Sequence, residues 1–266
     1  MKPAIDTIRR HGNPPFSVAV LHGGPGAAGE MAPVAQELAT RGHGVLELLQ
    51  TKASIAGQTS ELRQQLEAAC AGPAVLIGFS WGAWLACLLA ARHPALVSKL
   101  VLIGSAPFSD EFIAGIQAVR QSRLPPAEWQ ELSALFRGSG LETPVGLSRV
   151  LELLEKAEAY APAGLHPAPI AFDRSIFEGV WPEAARMRRS GELLRTVAKI
   201  RCPVAALHGD HDPHPATGVE LPLLGILPDF SFRLLQRCGH KPWIEKHARA
   251  DFFQALEETL AWPGGL

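Results

Sequence analysis

Short apolar runs punctuate this chain at intervals. They are SVAVLHG at 17–23, GVLELL at 44–49, AVLIGFS at 74–80, KLVLIGS at 99–105, VAALHG at 204–209 and FSFRLLQ at 230–236. Uninterrupted Val, Ile and Leu over so few residues fits strands buried on both faces. Between them the apolar positions take helical spacing. EMAPVAQELATRG at 30–42 predicts a helix closed by Gly42, and TSELRQQLEAACAG at 59–72 predicts one capped by Thr59 or Ser60 that stops at Gly72. WGAWLACLLAARHP at 81–94 predicts a helix ending before Pro94, and IEKHARADFFQALEETLAW at 244–262 an amphipathic C-terminal helix. Strands and helices in alternation predict a mostly parallel sheet with helices on both faces.

The alternation stops between about Ala106 and Lys199. Helical segments follow one another there (SDEFIAGIQAVRQSRL, PAEWQELSALFRG, VGLSRVLELLEKAEAYA and WPEAARMRRSGELLRTV), punctuated by Pro125, Pro126, Pro144, Pro162, Pro167, Pro169 and Pro182. The block is too long for one crossover connection. It predicts a helical cap over residues 107–198, inserted into a core made of residues 1–106 and 199–266.

The charge changes the picture by exclusion. A formal net charge of −1 over 266 residues gives no electrostatic case for nucleic acid or an anionic membrane. No segment has the apolar core of a signal peptide or the length to span a bilayer, so the expectation is a cytoplasmic protein acting on a small molecule. Cys70, Cys87, Cys202 and Cys238 are widely spaced, which predicts reduced thiols and no structural zinc. P-loop and GxGxxG patterns are absent, so no organic cofactor is implied. The sequence is silent on oligomeric state.

The candidate chemistry begins at GFSWG, where Ser80 sits between Gly78 and Gly82 as a strand gives way to a helix. A serine in so sharp a turn takes a strained backbone, and glycines two positions away remove the Cβ atoms that would collide across it. The turn presents Oγ at the carboxyl end of the sheet and sets the Trp81 amide at a helix N-terminus, aimed at developing negative charge. A serine hydroxyl needs a base, and the base needs an orienting acid. VAALHG runs into DHDPHP, which offers Asp210 and Asp212, with Asp212 in the loop before Pro213 the favoured choice. FSFRLLQ runs into RCGHKPW, which offers His240. A second oxyanion donor is expected from LHGGPG at 21–26, at the Gly24 amide. His208, His211 and His214 crowd the acid loop, but surface histidines are commoner there than a metal site, and no metal is expected. Phe177, Trp181 and Trp243 are candidate pocket-lining residues, although buried core is the more frequent place for such side chains.

HGGPG, GFSWGAW, HGDHDP and CGHKPWIEKHAR together resemble an α/β-hydrolase with a helical cap, over nearly the whole chain. HGGPG with tryptophan after the serine is similar to the proline iminopeptidase branch. The resemblance implies Ser80 as nucleophile, His240 as base, Asp212 as acid in the G-x-x-D loop, and the Gly24 and Trp81 amides as oxyanion donors. It implies a serine hydrolase for an ester, amide or related acyl substrate. An aminopeptidase, or a weakly catalytic binding module on the same fold, is the alternative. The chain departs from that branch at Phe79, where glycine is usual, and at Ala83, where glycine or serine is usual. It is also shorter before HGGPG, which implies the loss of one or both leading antiparallel strands. Neither Glu178 nor Glu183 is matched to the acidic cap residues that hold the substrate's free amine in that branch.

Overall fold

The computed structural model describes residues 7–70, 72–138, 140–164 and 170–262; Pro167 and Pro169 lie outside them. In chain order the elements are β1 (Ile8–His11), β2 (Phe16–Leu21), β3 (Ala27–Ala28), α1 (Ala32–Thr40), β4 (Gly44–Leu48), α2 (Ile55–Ala69), β5 (Ala74–Phe79), α3 (Trp81–Arg92) and β6 (Val97–Ile103). There follow α4 (Ile116–Ser122), α5 (Pro126–Arg137), α6 (Pro144–Glu158), β7 (Ala171–Phe172), α7 (Arg174–Arg189) and α8 (Glu192–Val197). The chain closes with β8 (Val204–Gly209), α9 (Thr217–Leu224), β9 (Phe230–Leu235) and α10 (Arg249–Ala261).

Seven strands form one sheet in the order β1-β4-β2-β5-β6-β8-β9, parallel except for β1. Each apolar run of the sequence became one of the parallel strands. Their side chains alternate between two cores, as the two-residue period of a strand requires. Ala19, Leu21, Leu76, Leu100, Leu102 and Ala206 face α2, α3, α7 and α8. Val18, Val20, Ile77, Val101, Ile103 and Leu207 face α1 and α10. The continuous apolar pattern was therefore two interleaved faces, each covered by helices.

Two local expectations are corrected and a third is narrowed. β1, with the polar sequence IRRH, has no apolar run to betray it. It pairs antiparallel with the edge of the sheet, from Ile8 opposite Leu48 to His11 opposite Val45, so one antiparallel strand does precede the glycine-rich loop. The cap of α2 is Ser54, whose Oγ accepts the Gly57 amide; Thr59 lies inside the helix and donates its hydroxyl to the Ile55 carbonyl. At the C-terminus, a 3-10 turn over Pro242–Ile244 precedes α10, which starts at Arg249.

Between β6 and β8 the described residues are mainly helical. Leu124, Leu132, Leu141, Val150, Leu153 and Ala157 form a third, separate core under α4, α5 and α6. α7 and α8 instead contribute Val180, Ala184, Met187, Leu193 and Val197 to the core beside α3. β7 pairs with β3 and not with the main sheet.

Registers bring the strand ends level. Leu21 lies opposite Gly78, Phe79 opposite Ile103, and Ile103 opposite Leu207. The residues just beyond these ends, His22, Ser80, Gly104 and Asp210, therefore share one edge of the sheet.

Candidate active site

Ser80 occupies the turn from β5 into α3 with φ +51° and ψ −110°. Such a backbone is strained for any residue with a Cβ, so the surroundings must hold it. The Ser80 amide donates to the Ile103 carbonyl at 2.9 Å, and the Ser80 carbonyl accepts the Ala83 amide at 3.2 Å. The flanking glycines answer two different constraints. A Cβ on Gly78 would lie 2.3 Å from the Gly82 carbonyl oxygen, whereas one on Gly82 would lie 2.5 Å from the Leu21 oxygen and 2.6 Å from that of His22. The first glycine closes the turn; the second lets the start of the HGGPG loop lie directly on it.

That loop is fixed by groups the sequence analysis did not single out. His22 is buried; its Nδ1 donates to the Gly23 carbonyl at 2.9 Å, and its Nε2 accepts the Gln50 amide at 3.3 Å. Burial pushes its imidazole down, against the pull of the Gly23 hydrogen bond and of Glu30, so it stays neutral. Glu30 Oε2 accepts the Gly23 amide at 3.1 Å. The Gly24 amide donates to no group among the described residues, and Gly24 has φ +28°. The Trp81 amide, at the first position of α3, has no carbonyl one turn back to receive it. The Trp81 ring is tied down separately, its Nε1 donating to Gln58 Oε1 at 2.9 Å.

His240 follows β9 and reaches back over the same edge. Its Nδ1 lies 2.7 Å from Asp212 Oδ2. Its ring centroid is 4.8 Å from that of Phe79, the residue before Ser80. The His240 loop lies so close to the end of β6 that a Cβ on Gly104 would lie 2.7 Å from the His240 carbonyl oxygen. Phe79 thus has a physical role where the resembling branch has glycine, as a wall between His240 and the core. Asp210, the competing acid, is exposed and accepts the Cys238 amide at 3.0 Å.

Asp212 is buried among histidines. Its Oδ1 accepts the His214 backbone amide at 2.8 Å and lies 2.9 Å from His214 Nδ1, while His208 Nε2 stands 3.4 Å from Oδ2. Burial would raise the carboxyl, but the charges of His240, His214 and His208 hold it well below its ordinary value. Burial alone would lower His240; the Asp212 charge and hydrogen bond outweigh it, Glu158 adds to them, and the imidazole is raised above 6.5. His214 goes the other way, because burial dominates its own attraction to Asp212. Asp212, His214 and His240 have their candidate ligand atoms within 4.8 Å of one another, as a metal site would require. An ionised carboxylate only accepts, however, so each facing imidazole nitrogen carries a hydrogen. This donor set is occupied with its own hydrogen bonds.

Two further acidic residues brace the histidine loop, Glu158 through its backbone and Glu245 through its carboxylate. The His240 amide donates to the Glu158 carbonyl at 3.1 Å, and the Glu158 side chain pairs with Arg120 at 2.7 Å. Glu245 is fully buried and accepts the amides of Gly239, Tyr160 and Ala161 at 2.7–2.8 Å, joining the loop to the chain after α6. Trp243 sits in the α10-side core against Phe79 and Phe252, and is 3% exposed. Phe177 and Trp181, both half-buried on α7, stack at 6.2 Å, and Trp181 stacks in turn on Trp84 at 6.3 Å. Glu178 is exposed and pairs with Arg174, and Glu183 caps the Ile55 amide at the start of α2.

The sequence model of a family described as the alpha/beta hydrolase fold matches residues 54–154. The solved structure of VinJ superposes with a TM-score of 0.68 at 21% identity, covering 95% of this chain and 94% of that one. The chain has the α/β-hydrolase fold. A second structure with this fold, a proline iminopeptidase of Mycobacterium smegmatis, gives a TM-score of 0.62 at 18% identity, covering 95% of this chain and 94% of that chain. In sequence, the hydrolase-fold chain is 29% identical over 261 residues to a pimeloyl-[acyl-carrier protein] methyl ester esterase of Chromobacterium violaceum, covering 91% of this chain and 93% of that protein. It is 31% identical over 177 residues to a 2-hydroxymuconate semialdehyde hydrolase of a Pseudomonas species, covering 65% of this chain and 58% of that protein. No helix among the described residues is long and apolar enough to cross a membrane.

Proposed function

We propose that this chain is a serine hydrolase that cleaves a small ester or related acyl substrate through an acyl-enzyme. Ser80 attacks the carbonyl, and His240 takes its proton and returns it to the leaving group. Asp212 holds the imidazole with Nδ1 protonated and steadies the imidazolium. The Gly24 and Trp81 amides receive the developing oxyanion. Residues 107–198 act as the cap over this edge. The observation that carries the reading is a strained Ser80 on the same edge of the sheet as a buried His240–Asp212 hydrogen bond of 2.7 Å. The esterase likeness over nine-tenths of the chain supports the ester side of it.

The aminopeptidase reading has the HGGPG loop and the iminopeptidase fold in its favour. It needs a free carboxylate near Ser80 to receive an ammonium, since an unpaired buried charge is very costly. Glu158, the cap carboxylate whose charge acts on His240, is already paired with Arg120. Glu178 and Glu183 are engaged as described above. An acyl-carrier protein as part of the substrate would call for exposed cations on the helices around the site. Arg149, Arg174 and Arg186 there are each paired with an acid, whereas Arg137 on α5 and Arg189 on α7 are exposed with no ion pair among the described residues. The carboxylate argument favours a small, uncharged acyl group.

The test is kcat/KM for p-nitrophenyl acetate, butyrate and decanoate beside prolyl p-nitroanilide. The proposal expects a short-chain ester to win by tenfold or more, about 1.4 kcal/mol in the barrier. A prolyl amide winning by that margin would overturn it.

A further inference from the structure

Three histidines crowd the acid loop at 208, 211 and 214, and the triad uses none of them. His211 turns away, edge-on to Tyr160 at 5.4 Å. The other two converge on Asp212. We infer that His214 is a positioning residue for the triad acid: its imidazole holds one oxygen of Asp212 while His240 holds the other, so that a single buried carboxylate is fixed between two histidines. The inference rests on the triad proposed above.

The geometry leaves Asp212 little freedom. Oδ1 receives both the amide and Nδ1 of His214, at 2.8 and 2.9 Å, and Oδ2 receives His240 Nδ1 at 2.7 Å. The two imidazole centroids are 4.6 Å apart and tilted by 39°, and both rings are buried. His214 is itself anchored from β8, because His208 Nε2 donates to its carbonyl at 2.9 Å. The chain of contacts therefore runs from β8 through the His214 backbone and ring to the acid, and from the acid to the base.

The consequence is chemical as well as steric. Each hydrogen bond to an ionised carboxylate stabilises its charge and weakens its pull on another proton. With His214 in place, Asp212 attracts the His240 imidazolium less than a bare carboxylate would. Removing the His214 ring raises the affinity of His240 for its proton and frees the carboxylate to rotate. The other charged groups facing this pair are Arg120 and Arg123 at the end of α4, Glu158 at the end of α6, and Lys241 after His240. All of them are unchanged by substitution at 214.

The experiment compares His214→Ala with His214→Asn, whose amide nitrogen stands where Nδ1 was. Alanine is expected to lower kcat roughly tenfold with KM little changed, and to move the acid limb of kcat/KM up by roughly half a pH unit. Asparagine is expected to restore most of both. An unmoved acid limb in the alanine variant, or an asparagine variant as impaired as alanine, overturns the inference. Low-field proton NMR of the unsubstituted protein tests it without any dependence on folding of a variant. Separate low-field resonances are expected for the Nδ1–H of His214 and of His240, assigned by ring-nitrogen correlation and distinct from those of His22 and His208; absence of the His214 resonance overturns the inference. If Ser80→Ala remained active, the triad reading would fall while the two resonances persisted. If Ser80 is essential and the acid limb does not move, only the role of His214 falls.

Discussion

Lys241 Nζ lies 2.7 Å from Glu30 Oε1, and the other oxygen of Glu30 receives the Gly23 amide. One ion pair thus ties the loop of the proposed base to the loop of the proposed oxyanion donor. Burial would lower the Lys241 ammonium, but the Glu30 charge more than compensates and the group is raised above its ordinary value.

Lys241→Met and Glu30→Gln should therefore be coupled. Each alone leaves a buried charge without its partner, and the pair of changes together leaves none. A double-mutant cycle on kcat/KM should give an interaction of more than about 1 kcal/mol. Additive effects would mean that the two loops are held independently.

Asp212→Asn should lower kcat by roughly four orders of magnitude, the scale expected when a base is left in the wrong tautomer. Asp210→Asn should stay within about tenfold of the unsubstituted protein, since Asp210 is exposed and supports only the Cys238 amide. Steady-state kinetics on one ester settles the ranking, and the reverse order would assign the acid to Asp210.

The pH profile follows from the direction of the His240 shift. Catalysis needs the neutral imidazole, so activity falls as pH drops through the folded value, which is raised above 6.5. The acid limb of kcat/KM should lie on the alkaline side of that value. In Asp212→Asn the raising influence is gone and burial dominates, so the limb of the residual activity should move to lower pH. A profile of kcat/KM from about pH 5 to about pH 9 for both proteins checks the sign.

The parallel sheet was legible because strands buried on both faces carry continuous apolar runs, and all of those runs became strands. β1 was not, because an edge strand with the sequence IRRH needs no such pattern; its stability comes from pairing with β4. Ser80, Asp212 and His240 stand out in the sequence as candidates because each follows a strand and carries suitable chemistry, and the fold brings Asp212 and His240 into contact. Their supports were hidden by distance along the chain. Glu30 meets Lys241, Gln58 meets the Trp81 ring, and Glu245 meets Tyr160 only once the loops are folded together. Aromatic residues were the most ambiguous of all. In sequence Trp243 can be pocket wall or, more often for such a side chain, core; its neighbours Phe79 and Phe252 place it in the core.

The most direct measurement is covalent labelling with a fluorophosphonate, followed by intact mass and peptide mapping. The account predicts one phosphonyl group per chain, located on Ser80. It predicts no adduct and no ester turnover in Ser80→Ala, with an unchanged melting temperature. Labelling at another residue, or turnover that survives the substitution, would contradict it.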